Sequence, residues 1–272
     1  AHTHLWSPDL QRWPLAPSVP AENLQPPSFT PEDFFAQAAP EGVERAVLIG
    51  HVGHFGWDNS YLLHLANAQP EVFAVQASLD HTFSSAAERM KRLADQGAIA
   101  FRLRVPEPPA SPWDSRSTMS ALFRVAEREG LAICPLTVPG ALPAFAELLE
   151  EHAETRVVFD HFARIGHDGH FREEDIENLA DLARFPEAHV KVSGFYNAGK
   201  RKPPYDDVVP LIERLLADFG AERLMWASDC PYQLNPGHSY ADSISLVRDR
   251  LDLSDTDRDW LLRRTAERLY FP

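Results

Sequence analysis

Seven short apolar runs punctuate the chain: Ala46-Val47-Leu48-Ile49, Val72-Phe73-Ala74-Val75, Ala98-Ile99-Ala100-Phe101, Leu131-Ala132-Ile133-Cys134, Val157-Val158-Phe159, Val190-Lys191-Val192 and Leu224-Met225-Trp226-Ala227. Their starts lie 26, 26, 33, 26, 33 and 34 residues apart, with loops and helical periodicity between them. Near-continuous apolar runs suit strands covered on both faces, as parallel strands beneath helices are. The pattern predicts helices over Ser84 to Gln96, Met119 to Glu129 and Asp206 to Phe219, each closed by a glycine. In the first, Ala86, Ala87, Met90, Leu93 and Ala94 recur at helical spacing. Strand–helix repeats with no dividing linker predict one α/β domain over residues 1–272, a (β/α)8 TIM barrel. No Gly-x-Gly-x-x-Gly loop supports an open, dinucleotide-binding sheet instead. The eighth strand must come from the segment ending at His4. Because the chain opens at Ala1 without Met, either part of that strand lies upstream or the strand is very short.

Composition narrows the partners. The 272 residues are 44% hydrophobic and 24% charged, ample for a sizeable core. A net charge of −14 repels phosphate backbones and anionic lipid, so a small-molecule substrate is expected rather than nucleic acid or membrane. No apolar run approaches the roughly 18 residues of a spanning helix. Two cysteines, Cys134 and Cys230, make no disulfide framework and suit a reducing cytoplasm.

A barrel of this kind places its chemistry at the carboxyl ends of the strands. His2-Thr3-His4 puts two imidazoles on one strand face, where they could hold a metal or polarise a carbonyl. Phe159-Asp160-His161 carries an imidazole to the rim, with Arg164 just beyond. Trp226-Ala227-Ser228-Asp229-Cys230-Pro231 ends a run on a carboxylate. Each signal has an ordinary structural reading, but a barrel brings all three together.

These residues, with Phe101-Arg102-Leu103, Val192-Ser193-Gly194 and Thr265-Ala266-Glu267-Arg268-Leu269-Tyr270, resemble the amidohydrolase-2 family across essentially the whole chain. The Trp after the paired histidines, the Asp-His pair and the Ser-Asp-x-Pro resemble its lactonase branch, which includes 2-pyrone-4,6-dicarboxylate lactonase and sugar-lactone hydrolases. Two positions depart from the metal-dependent pattern. The strand ending Pro135-Leu136-Thr137 lacks the usual His, and the one ending Arg102-Leu103-Arg104 lacks the usual Lys, which argues against two metals. The resemblance leaves a single divalent metal on His2, His4 and Asp229, with zinc the first candidate, balanced against metal-free catalysis.

The expected reaction is hydrolysis of a small, carboxylated lactone. Asp229 is the candidate general base, and His2, His4 and His161 are candidates for stabilising the oxyanion. Arg102, Arg104 and Arg164 are candidate carboxylate clamps, with Trp6, Tyr196 and Tyr232 lining the pocket. His51, His54 and His81 take supporting or loop roles by default. The alternatives are a metal-dependent nonoxidative decarboxylase, against which the missing His counts, and a non-catalytic ligand-binding barrel. Amide hydrolysis stays open, as does a homo-oligomer built on an exposed barrel face.

Overall fold

The apolar runs pair side by side as parallel strands: β1 (Ala46–Ile49), β2 (Phe73–Ser78), β3 (Ala98–Val105), β4 (Ala132–Thr137), β5 (Arg156–Phe159), β6 (Ala188–Val192) and β7 (Leu224–Trp226). The computed structural model describes residues 1–109, 113 and 116–271, and within them the strands follow one another in sequence order across a single sheet. The gap between β1 and the end of β7 is spanned by Thr3, which bridges Leu48 on one side and Cys230 on the other. Thr3 N–H donates to Val47 (3.0 Å) and His4 N–H to Cys230 (2.8 Å), while Thr3 and His2 carbonyls accept from Ile49 and Asp229, both at 2.9 Å. The expected eighth strand is thus reduced to one bridged residue. Past it the chain turns away, and Trp6 pairs antiparallel with Phe29.

Alternation along the strands separates two apolar clusters. Outward residues such as Leu48, Val75, Phe101, Ile133 and Val190 pack into one large core under the helices. Inward residues form a smaller cluster that includes Val47, Ala74, Ala100, Ala132, Cys134, Val158 and Met225, joined by Leu269 and Tyr270 from the last helix. Small alanines on the inner wall leave volume that a filled barrel must occupy. Gln76, Arg102, His189 and Lys191 occupy it, all buried.

The helices stand close to their expected limits. One runs Ala86–Asp95; another, Thr118–Glu129, is capped by the Ser117 side chain and stopped by Gly130 at φ 67°. The third starts later than expected. Asp206–Val208 is a 3-10 turn and the α-helix is Val209–Phe219, because Pro210 has no N–H to donate and fits only the first turn. No described helix is long and apolar enough to cross a membrane.

Candidate active site

The strand ends deliver four groups to one point. His2 and His4 flank bridged Thr3, and both Nε2 atoms lie 3.3 Å from Asp229 Oδ1 and 3.3 Å from each other. His161 Nε2 approaches the other oxygen, Oδ2, at 3.6 Å. All four residues are buried. Asp229 reaches this position with φ 57°, and His161 opens a left-handed turn through Arg164, with φ of 53°, 52°, 52° and 63°. Four successive non-glycine residues in that region are costly, and such strain gathers at functional sites.

Hydrogen bonds fix how the donors face. His4 Nδ1 lies 2.9 Å from the Ile49 carbonyl, which only accepts, so His4 donates there and keeps its Nε2 lone pair toward Asp229 when neutral. His161 Nδ1 lies 2.8 Å from Ser193 Oγ. Tyr196 donates to Asp229 Oδ2 at 2.7 Å. Burial lowers the pKa of His161 and takes that of His2 well below the ordinary imidazole value, with Lys191 adding to the effect at His2. Burial works against ionised Asp229, but His161, His2 and His4 together outweigh it and hold its carboxyl well below the usual range.

Beneath this cluster lies a buried ionic network that the sequence reading missed. Lys191 Nζ sits 2.9 Å from Asp160 Oδ1, 2.6 Å from Gln76 Oε1 and 3.4 Å from His2 Nδ1. Gln76 Nε2 donates to Asp160 Oδ2 at 3.3 Å. Burial opposes the Asp160 charge, yet Lys191, Arg102 and His2 keep it ionised. The available signal was a Lys and a Gln inside otherwise apolar strands, since a polar group buried there needs a partner.

The arginines and aromatics divide. Arg102, expected as a clamp, is 6% exposed and donates through Nε to Asp160 Oδ2 at 3.2 Å, so its charge is already matched. Arg104 is exposed and Arg164 half-buried, and among the described residues neither forms an ion pair. Burial and the positive charges of Arg102 and Arg104 lower the Arg164 pKa, placing the three cations within each other's field. Trp6 does not face the mouth. It is fully buried, donates to the Pro26 carbonyl at 3.0 Å, and backs His54 and Tyr232, because its pairing with Phe29 turns it inward. Tyr232 Oη lies 2.8 Å from His51 Nε2 and 3.0 Å from His54 Nε2, and the two imidazoles stack at 4.1 Å. With one hydroxyl proton, Tyr232 donates to one ring and accepts from the other. Burial, then the neighbouring imidazoles, hold His51 down at about 2. His51 also meets His4 edge-to-face, so this pair belongs to the site's wall.

The donor set suits a divalent metal. The ligating atoms of His2, His4 and Asp229 lie within 4.8 Å of one another, and Asp229 Oδ1 is buried with no hydrogen-bond partner. Two neutral imidazoles and a carboxylate are a common zinc combination. A model of the amidohydrolase family matches residues 1–271.

The chain belongs to the amidohydrolase family.

Among characterised relatives, this amidohydrolase is 28% identical over 236 residues to a 4-sulfomuconolactone hydrolase of Hydrogenophaga intermedia, covering 85% of the chain and 73% of that protein. It is 27% identical over 211 residues to an L-fucono-1,5-lactonase of Burkholderia ambifaria, covering 77% of the chain and 72% of the relative. Its fold is shared with a protein assigned as a 2-pyrone-4,6-dicarboxylic acid hydrolase from Pseudomonas putida (TM-score 0.78, 23% identity, 98% and 95% of the two chains). It is shared equally with an amidohydrolase from Burkholderia multivorans solved with bound zinc (TM-score 0.78, 22% identity, 99% and 97%). This amidohydrolase is therefore a hydrolase built on the TIM-barrel-like frame.

Proposed function

We propose that the protein opens a small lactone bearing a carboxylate, adding water across the ring ester to give a hydroxy acid. The observation that carries this reading is Asp229 Oδ1, a buried, ionised, unpartnered oxygen facing two imidazole nitrogens at 3.3 Å. A carboxylate so placed accepts the proton of an attacking water and returns it to the ring oxygen as the C–O bond breaks. His161, kept neutral by burial, pairs with Ser193 through Nδ1, and in the tautomer that accepts there its Nε2–H donates to the developing oxyanion. Arg104 and Arg164 bind the substrate carboxylate, since Arg102 is committed to Asp160. His2, His4 and Asp229 would hold a single zinc ion, which when bound polarises the ester carbonyl and makes water more acidic.

Likeness to lactone-opening relatives supports the same reaction class. The test is hydrolysis of a panel of neutral and carboxylated lactones, with chelator and with added zinc. Carboxylated lactones should turn over fastest, and chelation should lower the rate until zinc is restored. Failure to open any lactone under every metal condition would overturn the reading.

A further inference from the structure

Strand β6 and the turn after it supply none of the four converging groups, yet they meet three of them. Lys191 pairs with Asp160 at 2.9 Å and lies 3.4 Å from His2 Nδ1. Ser193, two residues on and just past the end of β6, holds His161 Nδ1 at 2.8 Å. Tyr196 then donates to Asp229 Oδ2 at 2.7 Å. Gly194 makes the close approach possible: at φ 76° it lies against His161, and an added Cβ would stand 3.3 Å from the histidine's own Cβ. His4 takes its orientation from the backbone of Ile49 instead.

We infer that Lys191–Tyr196 is the orienting element of the site, with Ser193 and Tyr196 as positioning residues for His161 and Asp229 rather than substrate contacts. The Tyr196 hydroxyl occupies one carboxylate oxygen and leaves Oδ1 as the free one. Ser193 holds the His161 ring by its Nδ1 and so fixes how Nε2 faces Asp229. Neither side chain needs to touch substrate to do this. Groups that orient metal ligands and catalytic side chains in this way commonly account for 10–100-fold in affinity or activity.

The inference rests on the lactonase reading for its kinetic test only. Tyr196→Phe and Ser193→Ala each remove one hydroxyl with little change in volume. Each should lower kcat about 10–100-fold while KM stays within about threefold, and Tyr196→Phe should bind zinc roughly tenfold more weakly in a chelator competition. A KM rise with kcat unchanged would make these residues substrate contacts and overturn the inference, as would unchanged kinetics. The imidazole 15N spectrum of the metal-free protein decides without substrate or zinc. Ser193→Ala should move the His161 signals, and Tyr196→Phe those of His2, His4 or His161 beside Asp229. An unmoved spectrum in either variant overturns the inference even if no lactone is opened.

Discussion

Two pairs of residues, each separated by one position, enter the barrel by the same alternation and meet different ends. His2 and His4 flank Thr3 and converge on one oxygen of Asp229, each at 3.3 Å. Arg102 and Arg104 flank Leu103 on β3, but Arg102 is buried against Asp160 while Arg104 stays in solvent. Alternation fixes which face a side chain takes. Depth is set by where the counter-charge lies. One carboxylate stands between the two histidines, whereas Asp160, deep in the lumen, is shared among Arg102, Lys191 and Gln76. The same spacing therefore yields a paired donor set in one case. In the other it yields one cation buried against a carboxylate and one exposed to solvent.

The comparison breaks most sharply at Asp229. Asp229→Asn keeps the volume but removes the proton acceptor on which both histidines converge, so kcat should fall on the order of a hundredfold or more. Circular dichroism and thermal melting should report an intact fold. Normal turnover, or a protein that fails to fold, would make Asp229 structural.

The arginine pair offers the next contrast. Arg102→Met removes one of the cations around buried Asp160 and should cost on the order of 3 kcal/mol in urea unfolding. Arg104→Met, at an exposed position, should stay within about 0.5 kcal/mol. Equal effects on stability would erase the distinction drawn between the two positions.

The smallest effect should fall on recognition. Arg164→Met should raise KM for a carboxylated lactone about tenfold with kcat nearly unchanged, as loss of uniform binding does. A neutral lactone should show no such change. If Arg164→Met leaves both parameters alone, the rim arginines are not the clamp.

Much of this was legible because each part obeys a local rule. β1, β5 and β7 stand out in the sequence since strands covered on both faces must be apolar throughout. β3 extends past Phe101 because Arg102 and Arg104 interrupt the apolar run without interrupting the strand. His2, His4, His161 and Asp229 were readable as strand-end residues. Lys191, Gln76 and Asp160 as a network were not, since they lie on β6, on β2 and just past the end of β5, and no spacing along the chain encodes that meeting. The full burial of Trp6 was not legible for the same reason. Its direction is set by Phe29, far along the chain.

The left-handed turn at His161–Arg164 joins two parts of the site within four residues. Phe162 and Ala163, both buried, anchor the middle of the turn, so its two ends are held in a fixed relation to each other. One end carries the imidazole beside Asp229 and the other the guanidinium proposed to grip the substrate. A change of backbone at Arg164 is therefore also a change at His161, three residues away in the same turn. Directed evolution toward neutral lactones would then gain more by rebuilding this corner as a unit than by changing Arg164 alone.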